Sequence, residues 1–341
     1  MQAGADAMRH GQPAEAERDF RKALDADVHS ADAWMGLGMA LLRENKPSEA
    51  RKALEQAIAA NPSVRGARMF LGIVDYQRND FSDALDSLKA EAELQPNNAE
   101  VLTWIGIVEM AAGHSEQATE PLDQAAALEP KNLSILYYEG RAHTLVAQAV
   151  YQKLFQLGPD SWQMHRAMGE IESQSKQPEK ALAEFEAAAR LQPNDPDLYQ
   201  NIGDEDQRLS HFEDATKAYE RVLQIHPGDA AALYNLGKIE VQTGDAAKGV
   251  ALLQQAMDAH APPAPVSFYM GEGLAKLGRD AEAAQWLEKS LASDPSPFLR
   301  RGAWFELARV YRKLDRPADA QRALSEMKKL DAGSAANQPN P

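Results

Sequence analysis

The chain has 341 residues, a formal net charge of −15 and no cysteine. The lack of thiols excludes disulfides, zinc–thiolate sites and thiol catalysis, and the acidic balance disfavours binding to a nucleic acid backbone. No run of about 18 apolar residues occurs, so the sequence predicts no membrane-spanning segment.

The first thirty residues predict a short pair of helices, with Gly4, Ala16 and Phe20 on its apolar side. The same three spacings return downstream in longer units. Met1 falls inside such a unit and not at its first position. Because a natural protein rarely starts inside a helical unit, we expect residues to be missing upstream.

Residues 31–63 show the unit in full and predict two helices. The first runs from about Ala31 to Glu44, with apolar residues at the three-and-four spacing of one helical face. The segment Asn45–Ser48 breaks it, and either Pro47 or Ser48 can start the second helix. The second helix stops before Pro62. Such a pair cannot bury its apolar face alone and needs neighbours.

Repetition supplies those neighbours, in columns with a period of 34 residues, one step of 29 and, before the last repeat, one step of 37. The glycine column holds Gly38, Gly72, Gly106, Gly140, Gly169, Gly203, Gly237 and Gly271. The small column holds Ala50, Ala84, Ala118, Ala147, Ala181, Ala215, Gly249, Ala283 and Ala320. The large column holds Leu54, Leu88, Leu122, Tyr151, Phe185, Tyr219, Leu253, Leu287 and Leu324. A glycine inside a helix costs about 1 kcal/mol relative to alanine, so its recurrence predicts close helix contact.

These columns, with a proline column that includes Pro62, Pro96 and Pro130, resemble the 34-residue unit of the tetratricopeptide repeat family. The resemblance covers nearly the whole chain and is greatest to bacterial multi-repeat members. It implies an all-α, right-handed superhelical solenoid of about ten helix-turn-helix units. It also implies that first helices line a concave surface that binds proteins.

Repeat 5, which begins at Leu133, departs from the pattern. Gly140 and Ala147 are seven residues apart, whereas the two columns are twelve apart elsewhere, and no turn-forming residue lies between them. Either the first helix is shorter with a tight corner, or residues 133–157 form one bent helix. In both cases we expect the array to break at Arg141–Val146.

The predicted division of the chain follows from this break. Residues 1–132 form an N-terminal array with a truncated first repeat, and residues 133–161 form the irregular repeat. Residues 162–334 form a C-terminal array. The small and polar residues at the end, 335–341, are expected to be a disordered tail.

No constellation of residues predicts catalysis, so the chain is interpreted as a protein without enzymatic activity, cofactor or metal. The eight histidines show no close metal-ligand spacing. Those near helix–helix turns are interpreted as solvated. His165, in the first helix of repeat 6, is kept as a possible contact of the groove.

The family resemblance places a set of side chains on the concave surface through their positions in the first helices. In repeats 2 to 5 the set is apolar and rich in methionine: Met35, Met39, Met69, Ile73, Tyr76, Ile107, Met110 and Tyr137. In repeats 6 to 10 it is mixed and charged: Arg166, Glu170, Asp204, Tyr234, Lys238, Phe268, Glu272, Arg309 and Arg312. The competing interpretation is that the methionines pack between helices.

The predicted function is therefore a non-catalytic scaffold or adaptor that binds a peptide or a helix of another protein in its groove. One alternative is the substrate-recognition arm of a larger enzyme whose catalytic domain lies outside this chain. Another is a structural protein that assembles through its terminal repeats. The oligomeric state stays open, with a monomer favoured. The compartment also stays open: cytoplasmic on the chain as given, exported if upstream sequence is missing.

Overall fold

The structure is a computed structural model that describes residues 1–336, with side chains through Leu330. The chain divides into two compact units, Met1–Lys153 and Leu154–Pro341. The first unit is built from helices α1 (Gln2–Arg9), α2 (Pro13–Ala26), α3 (Ala31–Arg43), α4 (Pro47–Ala60), α5 (Ala67–Gln77), α6 (Phe81–Leu94), α7 (Ala99–Ala111), α8 (Ser115–Leu128) and most of α9 (Leu133–Leu157).

The second unit contains ten further helices. They are α10 (Trp162–Gln174), α11 (Pro178–Leu191), α12 (Pro196–Arg208), α13 (Phe212–Ile225), α14 (Ala230–Thr243), α15 (Ala246–Asp258), α16 (Pro263–Lys276), α17 (Asp280–Ala292), α18 (Pro297–Lys313) and α19 (Pro317–Ala336). Residues 1–336 contain no strand. The all-α prediction is confirmed, and each unit is a solenoid of paired helices. Among the described residues, no helix combines the length and apolar content that a membrane crossing requires.

Local sequence signals set the helix ends, as α3 and α4 illustrate. The Ser30 side chain caps α3 by accepting a hydrogen bond from the Ala33 amide. Asn45 then takes a left-handed backbone conformation, with φ of 59°, and turns the chain. Pro47 occupies the first turn of α4, where its missing N–H costs no hydrogen bond. The predicted bounds of this pair are confirmed to within one residue.

The glycine column brings the two helices of a repeat together. A Cβ atom at Gly38 would lie only 2.6 Å from Cγ of Leu54, and at Gly106 it would lie 2.4 Å from Cγ of Leu122. Both leucines are fully buried. The large column therefore fills the space that the glycine leaves, and full burial of each leucine contributes about 2 kcal/mol.

Repeat 5 contains one helix instead of two. α9 runs without interruption from Leu133 to Leu157, so the tight corner is wrong and the continuous helix is correct. The backbone is helical through Arg141–Val146, and the predicted break in the stacking of the repeats at this segment stays a prediction. The unit boundary lies later, between Lys153 and Leu154, in the same helix. Because no residue between Gly140 and Ala147 favours a turn, helical hydrogen bonding continues through the segment.

The C-terminal end also differs from the prediction. α19 continues to Ala336, so the backbone of residues 335 and 336 is helical where a disordered tail was expected. The remainder of that predicted tail, residues 337–341, lies outside the described residues.

Candidate functional site

First helices of consecutive repeats contact one another in part of each unit. In the first unit α3 contacts α5, and α5 contacts α7. In the second unit α14 contacts α16, and α16 contacts α18. We call the exposed surface of these first helices the first-helix face. The predicted binding residues all belong to first helices, and their accessibility differs from residue to residue.

In the first unit, most of the predicted apolar residues are partly accessible. Met35, Met39, Tyr76, Ile107 and Met110 are half-buried, and Tyr137 is exposed. Met69 and Ile73 are buried instead, at 6% and 8% exposure, in a cluster with residues of α6 and α7. These two side chains pack between helices, as the competing interpretation had it, so a partner would reach them only if their neighbours moved.

Tyr76 is held in place by aromatic neighbours. Its ring lies 5.7 Å from the Trp104 ring in an edge-on arrangement and 6.1 Å from the Phe81 ring. Such pairs add about 0.5–1.5 kcal/mol to the burial of their surface. These contacts fix the orientation of the Tyr76 ring on the first-helix face.

The charged residues predicted for the second unit are largely paired with neighbours. Nε of Arg166 lies 3.1 Å from Oε1 of Glu170, and Glu272 lies 3.3 Å from Lys276. Tyr234 is half-buried, and Phe268 is buried at 8% exposure. The exposed residues are Arg309, whose guanidinium lies 2.9 Å from Glu306, and Arg312.

His165 does not point into open solvent. Its Nδ1 lies 2.7 Å from Oε2 of Glu184 on α11, so the ring joins the two helices of repeat 6. This contact accounts for the half-buried histidine without a bound partner.

Asp204 is the centre of a hydrogen-bond network in the second unit. Its Oδ1 accepts hydrogen bonds from the Tyr219 hydroxyl at 2.7 Å and from the Gln200 amide at 3.1 Å. The Gln207 amide donates to the Tyr219 hydroxyl at 2.6 Å and accepts from Nζ of Lys238 at 2.8 Å. Asp204 and Lys238, two of the predicted groove residues, therefore also stabilise the packing of α12, α13 and α14.

Burial controls the titration of this network. Desolvation raises the pKa of Asp204 above its ordinary value of 3.8, although hydrogen bonds from Tyr219 and Gln200 oppose the change. Desolvation also lowers the pKa of Lys238. Tyr269, whose ring lies 6.0 Å from Nζ of Lys238, has its pKa raised to about 12, mainly by burial.

We expect Asp204→Asn to change the pH dependence of stability. Because the folded state raises the pKa of Asp204, this carboxylate lowers the free energy of unfolding as pH rises from about 4 through the folded-state pKa. The variant has no carboxylate at this position. Its free energy of unfolding relative to that of wild type should therefore increase between pH 4 and pH 7. Urea unfolding at several pH values measures the difference.

Asp214→Asn is the matched control. A hydrogen bond from the Lys217 ammonium lowers the pKa of this exposed carboxylate, so its removal should have the opposite pH trend. A parallel trend for both variants would contradict the assignment of the raised pKa to Asp204.

The second unit carries an open groove that no sequence pattern indicated. It has a volume of about 660 Å³ and lies among α11, α12 and α13. Arg221 reaches into it with its guanidinium carbon 5.6 Å from the centre of the Tyr199 ring. Asp206, nearly buried, lies on its wall 3.4 Å from Nδ1 of His211. The repeat pattern assigns binding residues to first helices only, whereas Arg221 and His211 lie on α13 and in the turn before it.

One cluster contains metal-ligating residue types. Ligand atoms of Asp123, Glu139 and His143 lie within 4.8 Å of one another. His143 and Asp123 are each about half exposed, and they already share a 2.9 Å hydrogen bond that joins α9 to α8. A surface hydrogen bond between helices accounts for this arrangement.

Two family models, both described as tetratricopeptide repeat, match the chain. One matches residues 1–51, 37–99, 144–196 and 241–296, and the other matches residues 209–267. No curated protein matches the chain.

Several solved structures are similar to parts or most of the chain. A MamA fragment, residues 41 to the end, from Desulfovibrio magneticus RS-1 is 17% identical, with a TM-score of 0.46 over 50% of this chain and 96% of the fragment. A structure of the APC/C hetero-tetramer Cut9–Hcn1 is 12% identical, with a TM-score of 0.46 over 97% of this chain and 86% of the matched chain.

Proposed function

The chain belongs to the tetratricopeptide repeat family, and from that premise we propose that it is a non-catalytic scaffold that binds a peptide or helix of another protein on its first-helix face. The observation that carries the proposal is the accessibility of apolar side chains on successive first helices. Met35 and Met39 on α3, Tyr76 on α5, and Ile107 and Met110 on α7 are all half-buried rather than enclosed.

The chemistry of these side chains suits an apolar partner. Methionine is flexible and polarizable, so a surface rich in methionine adapts to different apolar shapes. An amphipathic helix or an extended apolar peptide would cover side chains that recur on parallel helices.

The second unit would then set the orientation of the bound partner more than it would add to the binding affinity. Most of the predicted groove residues of this unit that are accessible are polar or charged, and several are engaged in ion pairs or in the Asp204 network. Charges at the edge of an interface mainly set partner choice and association rate. We assign this role to Arg166, Glu170, Asp204, Tyr234, Lys238, Glu272, Arg309 and Arg312.

The test is the double variant Met39→Glu/Ile107→Glu. Two carboxylates on the apolar part of the first-helix face should abolish partner capture, because burying unpaired charge costs several kcal/mol. Both side chains are half-buried, so the thermal unfolding midpoint should change little. The measurement is affinity capture from lysate of the source organism with quantitative mass spectrometry, alongside thermal unfolding.

Leu128→Glu is the control variant. Leu128 is 43% exposed on α8, a second helix of the same unit, so this change adds one carboxylate, against two in the double variant, away from the first-helix face. Proteins captured by wild type should remain with this variant and disappear with the double variant. Equal capture by all three proteins would reject the first-helix face as the binding surface. No observation favours the alternative of a recognition arm of a larger enzyme.

A further inference from the structure

Helix α9 has two opposite faces with different surroundings. One face packs against α7 and α8 through Ile135, Tyr138 and Ala142. The other face points away from them and follows the three-and-four spacing along the helix. We call it the α9 stripe, and its members are Leu133, Tyr137, Gly140, Thr144, Ala147, Tyr151 and Phe155, all of which are exposed.

In repeat 5 the contact between the column glycine and the large-column residue is not made, and both residues lie on the α9 stripe. In neighbouring repeats the column glycine meets a large residue, so a Cβ atom at Gly106 would lie 2.4 Å from Leu122, and one at Gly169 would lie 2.6 Å from Phe185. A Cβ atom at Gly140 would meet no heavy atom within 4 Å. Tyr151, the large-column residue of the same repeat, is 39% exposed, whereas those of the neighbouring repeats are buried.

Gly140 and Tyr151 cannot meet within one copy of this helix. They are eleven residues apart in an uninterrupted helix, a separation of about 16 Å along the axis. Other corners of the solenoid use residues with positive φ, such as Asn45, Asn79 and Lys176, but residues 134–157 contain none. The contact that the sequence pattern encodes is therefore open to another chain.

We propose that a second copy of this chain covers the α9 stripe, with the two α9 helices antiparallel about a two-fold axis. Gly140 of each copy then lies beside Tyr151 of the other copy, which restores the glycine–large contact twice. This register puts the axis between Leu145 and Val146. It makes the interface isologous, because the same surface of each copy meets itself.

The sizes of the side chains fit this register. Gly140 provides the space that a tyrosine ring needs, and Thr144 lies beside Ala147 of the second copy close to the axis. Small residues at the centre permit the helices to approach closely. Consecutive helices joined by a short turn are antiparallel, so the two copies would rebuild the missing pair of repeat 5 from two chains.

The exposed area is of the size that a dimer requires. Leu133 is 80% exposed, Tyr137 62%, Phe155 58% and Tyr151 39%. With about 200 Å² for a full aromatic side chain, the stripe and its flank offer roughly 500 Å² of apolar surface per copy. A standard interface buries about 800 Å² per partner, of which about 65% is apolar in homodimers.

The first experiment measures the mass of the full chain in solution. Light scattering coupled to size exclusion should give twice the 37.4 kDa of one chain, in place of the monomer that the sequence favoured. Tyr151→Glu should weaken the dimer at least about 100-fold, because the symmetry buries two unpaired charges. Circular dichroism should show unchanged helix content.

Gln152→Glu is the control for this variant, since Gln152 is exposed on α9 outside the stripe. It should remain dimeric. Wild-type chain that stays monomeric across the micromolar range, or a Tyr151→Glu variant that dimerises as wild type does, would overturn the proposal. If the chain is monomeric, the stripe is covered either by a different protein or by the chain itself, with α9 bent back on itself.

The second experiment tests the register, using the absence of native cysteines. Gly140→Cys/Tyr151→Cys should oxidise to a covalent dimer on a non-reducing gel, whereas Gly140→Cys alone should not, because the two copies of residue 140 lie about 16 Å apart along the axis. A disulfide within one chain would show that repeat 5 folds back as a hairpin. That result, or no disulfide, would overturn the proposal.

Discussion

Gly203→Ala is expected to lower the free energy of unfolding of the second unit by about 2 kcal/mol, despite the higher helix propensity of alanine. A Cβ atom at this position would lie 2.6 Å from Cε1 of Tyr219. Tyr219 is fully buried, so its ring cannot move aside into solvent. Displacing it would also strain its hydrogen bonds to Asp204 and Gln207.

Gly228→Ala is the matched control in the same unit. A Cβ atom at Gly228 meets no heavy atom within 4 Å, and the backbone there is not left-handed. Its effect should stay within about 0.5 kcal/mol, as for other exposed sites. Chemical unfolding of both variants measures the difference. Equal effects would contradict the view that the glycine column exists for close helix contact.

Asp75→Leu is expected to raise the free energy of unfolding of the first unit by about 1–2 kcal/mol at pH 7. Asp75 is completely buried; its Oδ1 faces Nε of Arg51 at 3.0 Å without hydrogen-bond geometry, and its Oδ2 has no hydrogen-bond partner among the described residues. Two other repeats place a buried leucine three residues after the column glycine, at Leu41 and Leu274. The substitution therefore replaces a buried charge with the residue that the same position accepts elsewhere.

Arg51 would keep partners after this change. Its Nε lies 3.0 Å from Oδ1 of Asp75, but its guanidinium also lies 3.1 Å from Asp83 and 3.6 Å from Glu55. Asp83→Leu is thus the control: it removes an exposed ion pair, which is worth at most about 1 kcal/mol, and should not stabilise the unit.

The advantage of Asp75→Leu should also depend on pH. Burial raises the pKa of Asp75, so wild type loses stability as pH rises from about 4 through the folded-state pKa. The difference between variant and wild type should therefore grow between pH 4 and pH 7. Thermal unfolding at both pH values measures it, and a difference that shrinks over this range would contradict the assignment.

The paired helices and their spacing were predictable from the sequence alone. The contacts that define a repeat join residues 12 to 16 positions apart, such as Gly38 with Ala50 and Leu54. Because these contacting residues are close in sequence, each contact appears in the sequence as a small residue and a large residue at a fixed spacing, repeated with the period of the unit. The ends of α3 and α4 were predictable for the same reason, because capping serine, left-handed asparagine and first-turn proline act locally.

The path of α9 needed the tertiary structure. A missing turn signal left two alternatives, and the sequence did not say whether burial of Ala147 and Tyr151 would force a corner. In the folded chain the helix continues and both side chains stay exposed. Unbroken backbone hydrogen bonding outweighs their burial within one copy, because a corner without a turn-forming residue strains the backbone.

The accessibility of the candidate binding residues also depended on the tertiary structure. Met35 and Met69 hold the same position in consecutive repeats, yet Met35 is half-buried and Met69 is enclosed by residues of α6 and α7. A repeat position determines the direction of a side chain from its helix. The distance to the next helix, and the size of the side chains on it, determine how much of that side chain solvent or a partner can reach.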